Sequence, residues 1–303
     1  MADALPNRSA AAAGILPERL IITGATGFIG SHVASLARAA GWSVVALGSA
    51  DIDLTDPDST NQLRALVRDG DTLVHSAAIA PTKSAGDLCT NVRMTEHLVE
   101  GLGGVALRQC LVVSSDAVYG SASGLLREDS ATNADSLHGV MSLARELLCS
   151  SIRADVHTIV RPAPVYGVGD THNSYGPNRM ARDLLSTGGV SIFGAGANVR
   201  DHVSVHDVAA IIVGLVRGAI PGTWLAASGS SISFADLAEL IVGSGSSGTV
   251  ASVGSEPTPT TRWYDTTALT TILPSLILTD PQTGVPTMVR AMTQKQDPAG
   301  SSS

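Results

Sequence analysis

Cysteine is scarce: Cys89, Cys110 and Cys149 are the whole complement of a 303-residue chain. Three widely spaced thiols exclude a disulfide framework and a close-spaced metal cluster, and they fit a reducing compartment. The chain therefore reads as cytoplasmic. Positive charge is also short, with 19 Lys and Arg against 27 Asp and Glu and a formal net charge of -8. That balance gives no electrostatic reason to expect nucleic acid or an anionic membrane as partner. Lysine is rarest, present only as Lys83 and Lys295. No apolar run approaches the roughly 20 residues of a membrane span, and no basic leader precedes an apolar segment at the N-terminus. No internal repeat and no set of metal ligands stands out. What remains is ordinary globular composition, 44% hydrophobic and 15% charged, which is ample for an α/β core.

The chain is organised around Thr23-Gly24-Ala25-Thr26-Gly27-Phe28-Ile29-Gly30. A short apolar run, Leu20 to Ile22, enters three glycines and leaves into a helical pattern from Ser31 to Ala40. That strand, turn and helix context is what a dinucleotide fingerprint requires. Gly24 permits the tight turn, Gly27 lets a pyrophosphate approach the main chain, and Gly30 lets helix and strand pack closely. The helix N-terminus then offers N–H groups and a positive dipole end to phosphate. The spacing resembles the fingerprint of the short-chain dehydrogenase/reductases. Gly27-Phe28-Ile29-Gly30 followed by Ser31-His32 resembles their extended branch, the sugar-nucleotide epimerases and dehydratases.

The resemblance continues in order along the chain. Ser43 to Leu47 reads as a second strand, at whose end NAD enzymes usually place an acid on the adenosine ribose. Gly48 stands there instead, with no arginine beside it, so NAD is expected and NADP stays open. Asp53 and Leu54 match the family's adenine-side positions, although a polar loop ahead of a helix capped near Asp56 accounts for the same residues. Asp71 to His75 reads as a strand leading to Ala77 and Ala78, which match the turn running along the cofactor. His75 reads as a packed structural histidine. Asp87 to Leu102 is helical, and Leu107 to Val113 gives another strand ending in Ser114-Ser115-Asp116-Ala117-Val118-Tyr119-Gly120. By resemblance Ser115 is the hydroxyl that bonds the reacting oxygen of the sugar, and Asp116 matches the acid of dehydratases, with a plain turn role equally open.

The family then carries Tyr-x-x-x-Lys on a helix, four residues apart and so on one face. Here the line is Ser136-Leu137-His138-Gly139-Val140-Met141-Ser142-Leu143-Ala144-Arg145-Glu146. Gly139 and Glu146 keep the register, His138 replaces the tyrosine and Ser142 the lysine. Either the pair is lost, leaving a catalytically silent dinucleotide-binding sensor or assembly protein, or His138 has taken the acid/base role. An imidazole titrates near 6.5 unaided, so it would not need the lysine that a phenol needs. Ser142 could still bond a ribose hydroxyl.

In the carboxy-terminal half, Arg161-Pro162-Ala163-Pro164-Val165-Tyr166-Gly167 resembles a family segment in which an asparagine stands at Pro164. Gly194 to Ala209 resembles the segment whose arginine, here Arg200, pairs with the substrate diphosphate; a structural pair with Asp201 is the plain alternative. Arg262 lies in a late segment that can face the same diphosphate. Helices are read over 178–185, 208–217 and 234–242. The expected architecture is a doubly wound parallel sheet, a Rossmann fold, with a smaller C-terminal substrate domain. Its parts would be a flexible extension over 1–17, a dinucleotide-binding domain over 18–166, and a mainly substrate domain over 167–290 with segments around 203–218 returning to the first, then a disordered tail over 291–303. The resemblance implies NAD(P)-dependent epimerase, dehydratase or reductase action on a sugar nucleotide or similar polar alcohol, no metal, and a homodimer formed through helices 87–102 and 137–152.

Overall fold

The computed structural model describes residues 17–171, 176–244, 248–255 and 260–296. Strands β1 (Leu20–Thr23), β2 (Val44–Leu47), β3 (Thr72–His75) and β4 (Leu107–Val113) occupy the apolar runs read from the sequence. Between them lie helices α1 (Phe28–Ala39), α2 (Ser59–Leu66) and α3 (Ala85–Gly101). A capping box opens α3: the Ser84 hydroxyl accepts the Asp87 N–H at 3.1 Å, and the Asp87 carboxylate accepts the Ser84 N–H at 2.9 Å. Strand β5 (Gly124–Leu126), helix α4 (Leu137–Ser150) and strands β6 (Ala154–Pro162) and β7 (Val165–Tyr166) complete the first half. The second half runs α5 (Pro177–Thr187), β8 (Gly189–Phe193), β9 (Val199–Asp201), β10 (Val203–Ser204), α6 (Val205–Arg217), β11 (Gly222–Ala226), β12 (Ser231–Ser233), α7 (Phe234–Val242), β13 (Thr249–Val253), β14 (Arg262–Tyr264), α8 (Thr267–Ile272) and α9 (Pro281–Gln296).

Six strands form one parallel sheet in the order β2-β1-β3-β4-β6-β11. Successive side chains of a strand face opposite sides, and both sides are covered. Ile21, Leu73, Cys110 and Val112 pack with Leu63, Met94 and Leu98 of α2 and α3. Leu20, Ile22, Val74 and Leu111 pack with Val33, Ala37, Val208 and Ile211 of α1 and α6. The chain leaves β1 first toward β2 and then returns to β3 on its other side, so the strand order reverses at β1. A crevice opens there beyond the carboxyl ends of the strands, where open α/β sheets bind ligands.

Two boundaries differ from the sequence reading. The return to the nucleotide domain does not stop at 218, because β11 pairs with β6 from Gly222↔Thr158 to Ala226↔Pro162. The stretch assigned to a disordered tail begins inside α9, which runs to Gln296. Val285, Met288 and Val289 of α9 are buried against Leu184 of α5 and Leu237 and Ile241 of α7, and this packing outweighs the interior Pro286. Residues 1–16 of the expected extension and 297–303 of the tail lie outside the described residues. No described helix is long and apolar enough to cross a membrane, and the described residues hold no group of three or more metal-ligating side chains.

Candidate active site

The end of the crevice beside the glycine turn is built from backbone. Gly24 has φ +71°, and a Cβ there would stand 2.6 Å from the Ala77 nitrogen, so only glycine lets the turn after β1 lie against the chain leaving β3. A Cβ at Gly30 would overlap the Gly24 carbonyl. Gly27 is the N-cap of α1 and offers no side-chain hydrogen bond, which leaves the first-turn N–H groups for a ligand. A cavity of about 290 Å³ follows, lined by Gly24, Thr26, Gly27, Gly48, Asp53, Leu54, Ala77 and Ala78 among others. Phe28 and Ile29 line the adjoining cavity instead.

Gly48 has a local reason. A Cβ on it would come within 2.7 Å of the Thr26 side chain, and its N–H donates to Asp51 Oδ2 at 2.8 Å. An acid thus does stand near this position, three residues later and folded back; the acidic run from Asp51 was the available signal. Asp53 Oδ1 accepts from the Thr55 N–H at 2.9 Å and its hydroxyl at 2.8 Å, holding the carboxyl below its ordinary range.

The other end is built from side chains. A cavity of about 350 Å³ brings together Ser115, Asp116, His138, Met141, Ser142 and Arg145, and shares Gly27, Ser76 and Ala78 with the first. Ser115 follows β4 and caps a single 3-10 turn, its Oγ accepting the Ala117 N–H at 3.1 Å. Helix α4 approaches that turn so closely that a Cβ on Gly139 would overlap the Ala117 carbonyl. The glycine after His138 therefore lets α4 approach the turn that Ser115 caps, and both side chains line the one cavity. Nδ1 of His138 accepts the Thr82 N–H at 3.4 Å, a partner the sequence did not signal. Ser142 is buried and donates its hydroxyl to the His138 carbonyl of its own helix at 2.9 Å.

A closed network frames this end. Glu146 of α4 accepts Arg161 Nε at 2.9 Å and Nη2 at 2.8 Å, and also the Ser114 hydroxyl, while Arg161 Nη1 donates to Tyr119 OH at 3.0 Å. The carboxylate and the phenol raise the Arg161 pKa against the opposing effect of burial. Four elements that carry Ser115 and His138 are thereby tied together. His75 is fully buried, with Nδ1 2.8 Å from Thr23 Oγ1, and lines neither cavity. Burial, and then the Arg145 charge, hold its pKa well below the ordinary value.

The residues expected from the sequence to meet substrate are arranged less openly. Asp116 is 9% exposed, accepts Arg262 Nη1 at 3.3 Å and is hydrogen-bonded by Tyr264 OH. Pairing of β14 with β5 sets Arg262 over the loop after Tyr119, where it also donates to the Ala122 and Gly120 carbonyls. Arg200 donates to the Val199 and Thr260 carbonyls at 2.8 and 2.7 Å, and to the Thr260 hydroxyl. Neither arginine lines the larger cavity. Burial first, and then repulsion from Arg262, lower the Arg200 pKa.

Sheet order, uncapped helix and crevice define a dinucleotide-binding α/β protein of the extended short-chain dehydrogenase/reductase type. The chain belongs to the NAD dependent epimerase/dehydratase family, whose family model matches residues 20–223. It is 30% identical over 256 residues to the dTDP-glucose 4,6-dehydratase of Mycobacterium tuberculosis, covering 69% of this chain and 72% of that protein. It is 31% identical over 166 residues to the dTDP-4-dehydrorhamnose reductase of Mycolicibacterium smegmatis, covering 52% of this chain and 48% of that one. The chain thus spans about half the length of that reductase. The Thermus thermophilus UDP-glucose 4-epimerase complex with NAD superposes with a TM-score of 0.79 at 20% identity, over 91% of this chain and 99% of that one; this likeness establishes the fold.

Proposed function

We propose that the chain is a nicotinamide-dependent oxidoreductase of a sugar nucleotide, interconverting a carbonyl and an alcohol at one carbon. The observation that carries this reading is the juxtaposition of Ser115 and His138 in one cavity that runs into the glycine turn. The cofactor fits what is there: a cradle that any Cβ would fill, an uncapped helix N-terminus and an adjoining cavity of adenosine size. Bound there, NAD supplies or accepts the hydride. Gly24, Gly27 and Gly30 would take the pyrophosphate, with Thr26, Phe28, Ile29, Asp53, Leu54, Ala77 and Ala78 along its length. The residues lining the adenosine cavity include no arginine or lysine to meet a 2′-phosphate, which favours NAD over NADP. Ser115 holds the reacting oxygen and His138 gives or takes its proton.

Asp116 argues against the dehydratase branch. An elimination needs an acid free to protonate the leaving oxygen, whereas this carboxylate is already engaged by Arg262 and Tyr264. The reductase and dehydratase names of the relatives support the sugar-nucleotide class. Arg200 and Arg262 repel one another, and a diphosphate drawn between them would relieve that repulsion. The outer face of α4 supports a homodimer: Leu137, Val140 and Leu147 lie on one exposed stripe, Leu147 at 72% exposure. Light scattering should then give twice the 30.9 kDa chain mass.

Screening dTDP- and UDP-linked keto and hydroxy sugars while following coenzyme absorbance tests the reaction. His138→Ala should lower kcat by about 10²–10⁴-fold with a working substrate. Turnover equal to that of the unaltered protein would remove His138 from the mechanism.

A further inference from the structure

Next to the closed Glu146–Arg161 pair stands a buried charge that is left open. Arg145 is 3% exposed, donates Nη1 to the Val113 carbonyl at 2.9 Å and Nη2 to the Ala77 carbonyl at 3.0 Å, and leaves Nε with no partner. It takes part in none of the ion pairs found among the described residues. A guanidinium stays protonated even when buried, so a full positive charge sits at the carboxyl ends of β3 and β4 bonded to two carbonyls and to no carboxylate; Glu146, which is hydrogen-bonded to Arg161, and Cys149 act on it only through space. Arg145 lines the larger cavity, and apart from His138 it is the one basic side chain among the described residues of that lining.

Its place on α4 gives the charge a purpose. His138, Ser142 and Arg145 lie at i, i+4 and i+7, on one face of the helix. Side chains of a helix lean toward its N-terminus, and Arg145 and Ser142 line the same cavity. Ser142 is small and its hydroxyl is spent on the His138 carbonyl. Lys83 and Lys295 are exposed and line neither cavity.

We propose that Arg145 is the positioning residue that supplies, one turn later, the fixed positive charge missing at Ser142, and that it biases the bound coenzyme toward its reduced form. The inference rests on the nicotinamide reading above. The oxidised nicotinamide ring carries a positive charge and the reduced ring none, so a fixed cation at the reactive end repels one and spares the other. A mere clamp on the two strand ends would hold both forms alike.

The test is calorimetric titration of the full chain with NAD⁺ and with NADH. The unaltered protein should bind NADH the more tightly. In Arg145→Gln, which keeps donors for a carbonyl but loses the charge, the ratio of Kd(NAD⁺) to Kd(NADH) should fall about tenfold. Arg145→Lys should hold the ratio, and adding Ser142→Lys to Arg145→Gln should restore it. Should Arg145→Gln fail to fold, Ser142→Lys alone decides. Beside a resident charge, a second cation should weaken NAD⁺ further and lower the melting temperature, whereas tighter binding of both forms would overturn the proposal. An unchanged ratio in Arg145→Gln, with both forms bound, overturns this inference alone. Binding of neither form by the unaltered protein overturns it together with the dinucleotide reading.

Discussion

The two ends of the crevice are made of different material. At the adenosine end the shape is main chain against main chain, Gly24 against Ala77 and Gly30 against the Gly24 carbonyl, and any added atom is in the way. At the reactive end the shape comes from side chains framed by Ser114, Glu146, Arg161 and Tyr119. There the reacting groups can be exchanged while the frame stays. Helix α4, which carries His138 and Ser142, is capped by Ser136 and runs unbroken to Ser150; on the proposed reading these two residues stand where the family carries a tyrosine and a lysine. A site built from backbone keeps its chemistry because it has no atoms to trade; a site built from side chains can change its proton carrier.

The largest effect should come from removing the frame. Glu146→Ala leaves Arg161 buried and unpaired, side chains that are now 6% and 8% exposed, and should cost about 3–5 kcal/mol of stability in urea denaturation. A loss below about 1 kcal/mol would mean that the reactive end is held by something other than this network. Gly30→Ala should cost about 1–3 kcal/mol and abolish coenzyme uptake by calorimetry, since α1 must move off the turn. Normal uptake would erase the distinction between the two ends.

The smallest effect concerns a buried ring outside both ends. His202 is 1% exposed with neither nitrogen hydrogen-bonded, and burial, then the Arg200 charge, push its pKa down to about 3. Between pH 6.5 and that value the unfolded chain binds a proton that the native ring refuses, so acidification through this window removes stability. Asp201 acts in the opposite sense: burial raises it to about 6 despite the Ser228 and Gly229 N–H groups. Between pH 6 and about 4 the native carboxyl holds the extra proton and acidification adds stability. His202→Phe should therefore be about 1 kcal/mol more stable at pH 7, through loss of unsatisfied nitrogens. Its advantage in thermal denaturation should widen as pH falls below 6.5. A gap that does not change with pH would show that the ring is charged in the native protein.

The nucleotide half was legible because its signals are local. Leu107–Val113 coincides with the strand read from the sequence, and the glycine turn names its own geometry; in the other half Phe234–Val242 coincides with the helix read there. Helix α9 was missed because Gly284 and Pro286 argue against a helix on propensity, while burial of Val285 and Val289 against α5 and α7 decides for one. Strand β11 was missed for a similar reason: Gly222–Ala226 is too short to announce a strand until β6 offers it an edge. At the site, His138 and Ser142 could be named as candidates from their place in the motif line, but Arg145 could not be given a task. Whether a buried arginine meets a carboxylate or stands open depends on what the ends of β3 and β4 bring to it.

By itself the amino-acid order determined the family, the sheet and the glycine turn, and it put His138 forward for the proposed chemistry; all of these depend on neighbours within about one turn or one strand. Only the tertiary structure decided which charges are spent and which are open. Asp116 and Arg262, 146 positions apart, are spent on each other, and Arg145 is not spent on an acid, because pairing of distant groups follows from packing that no local pattern encodes.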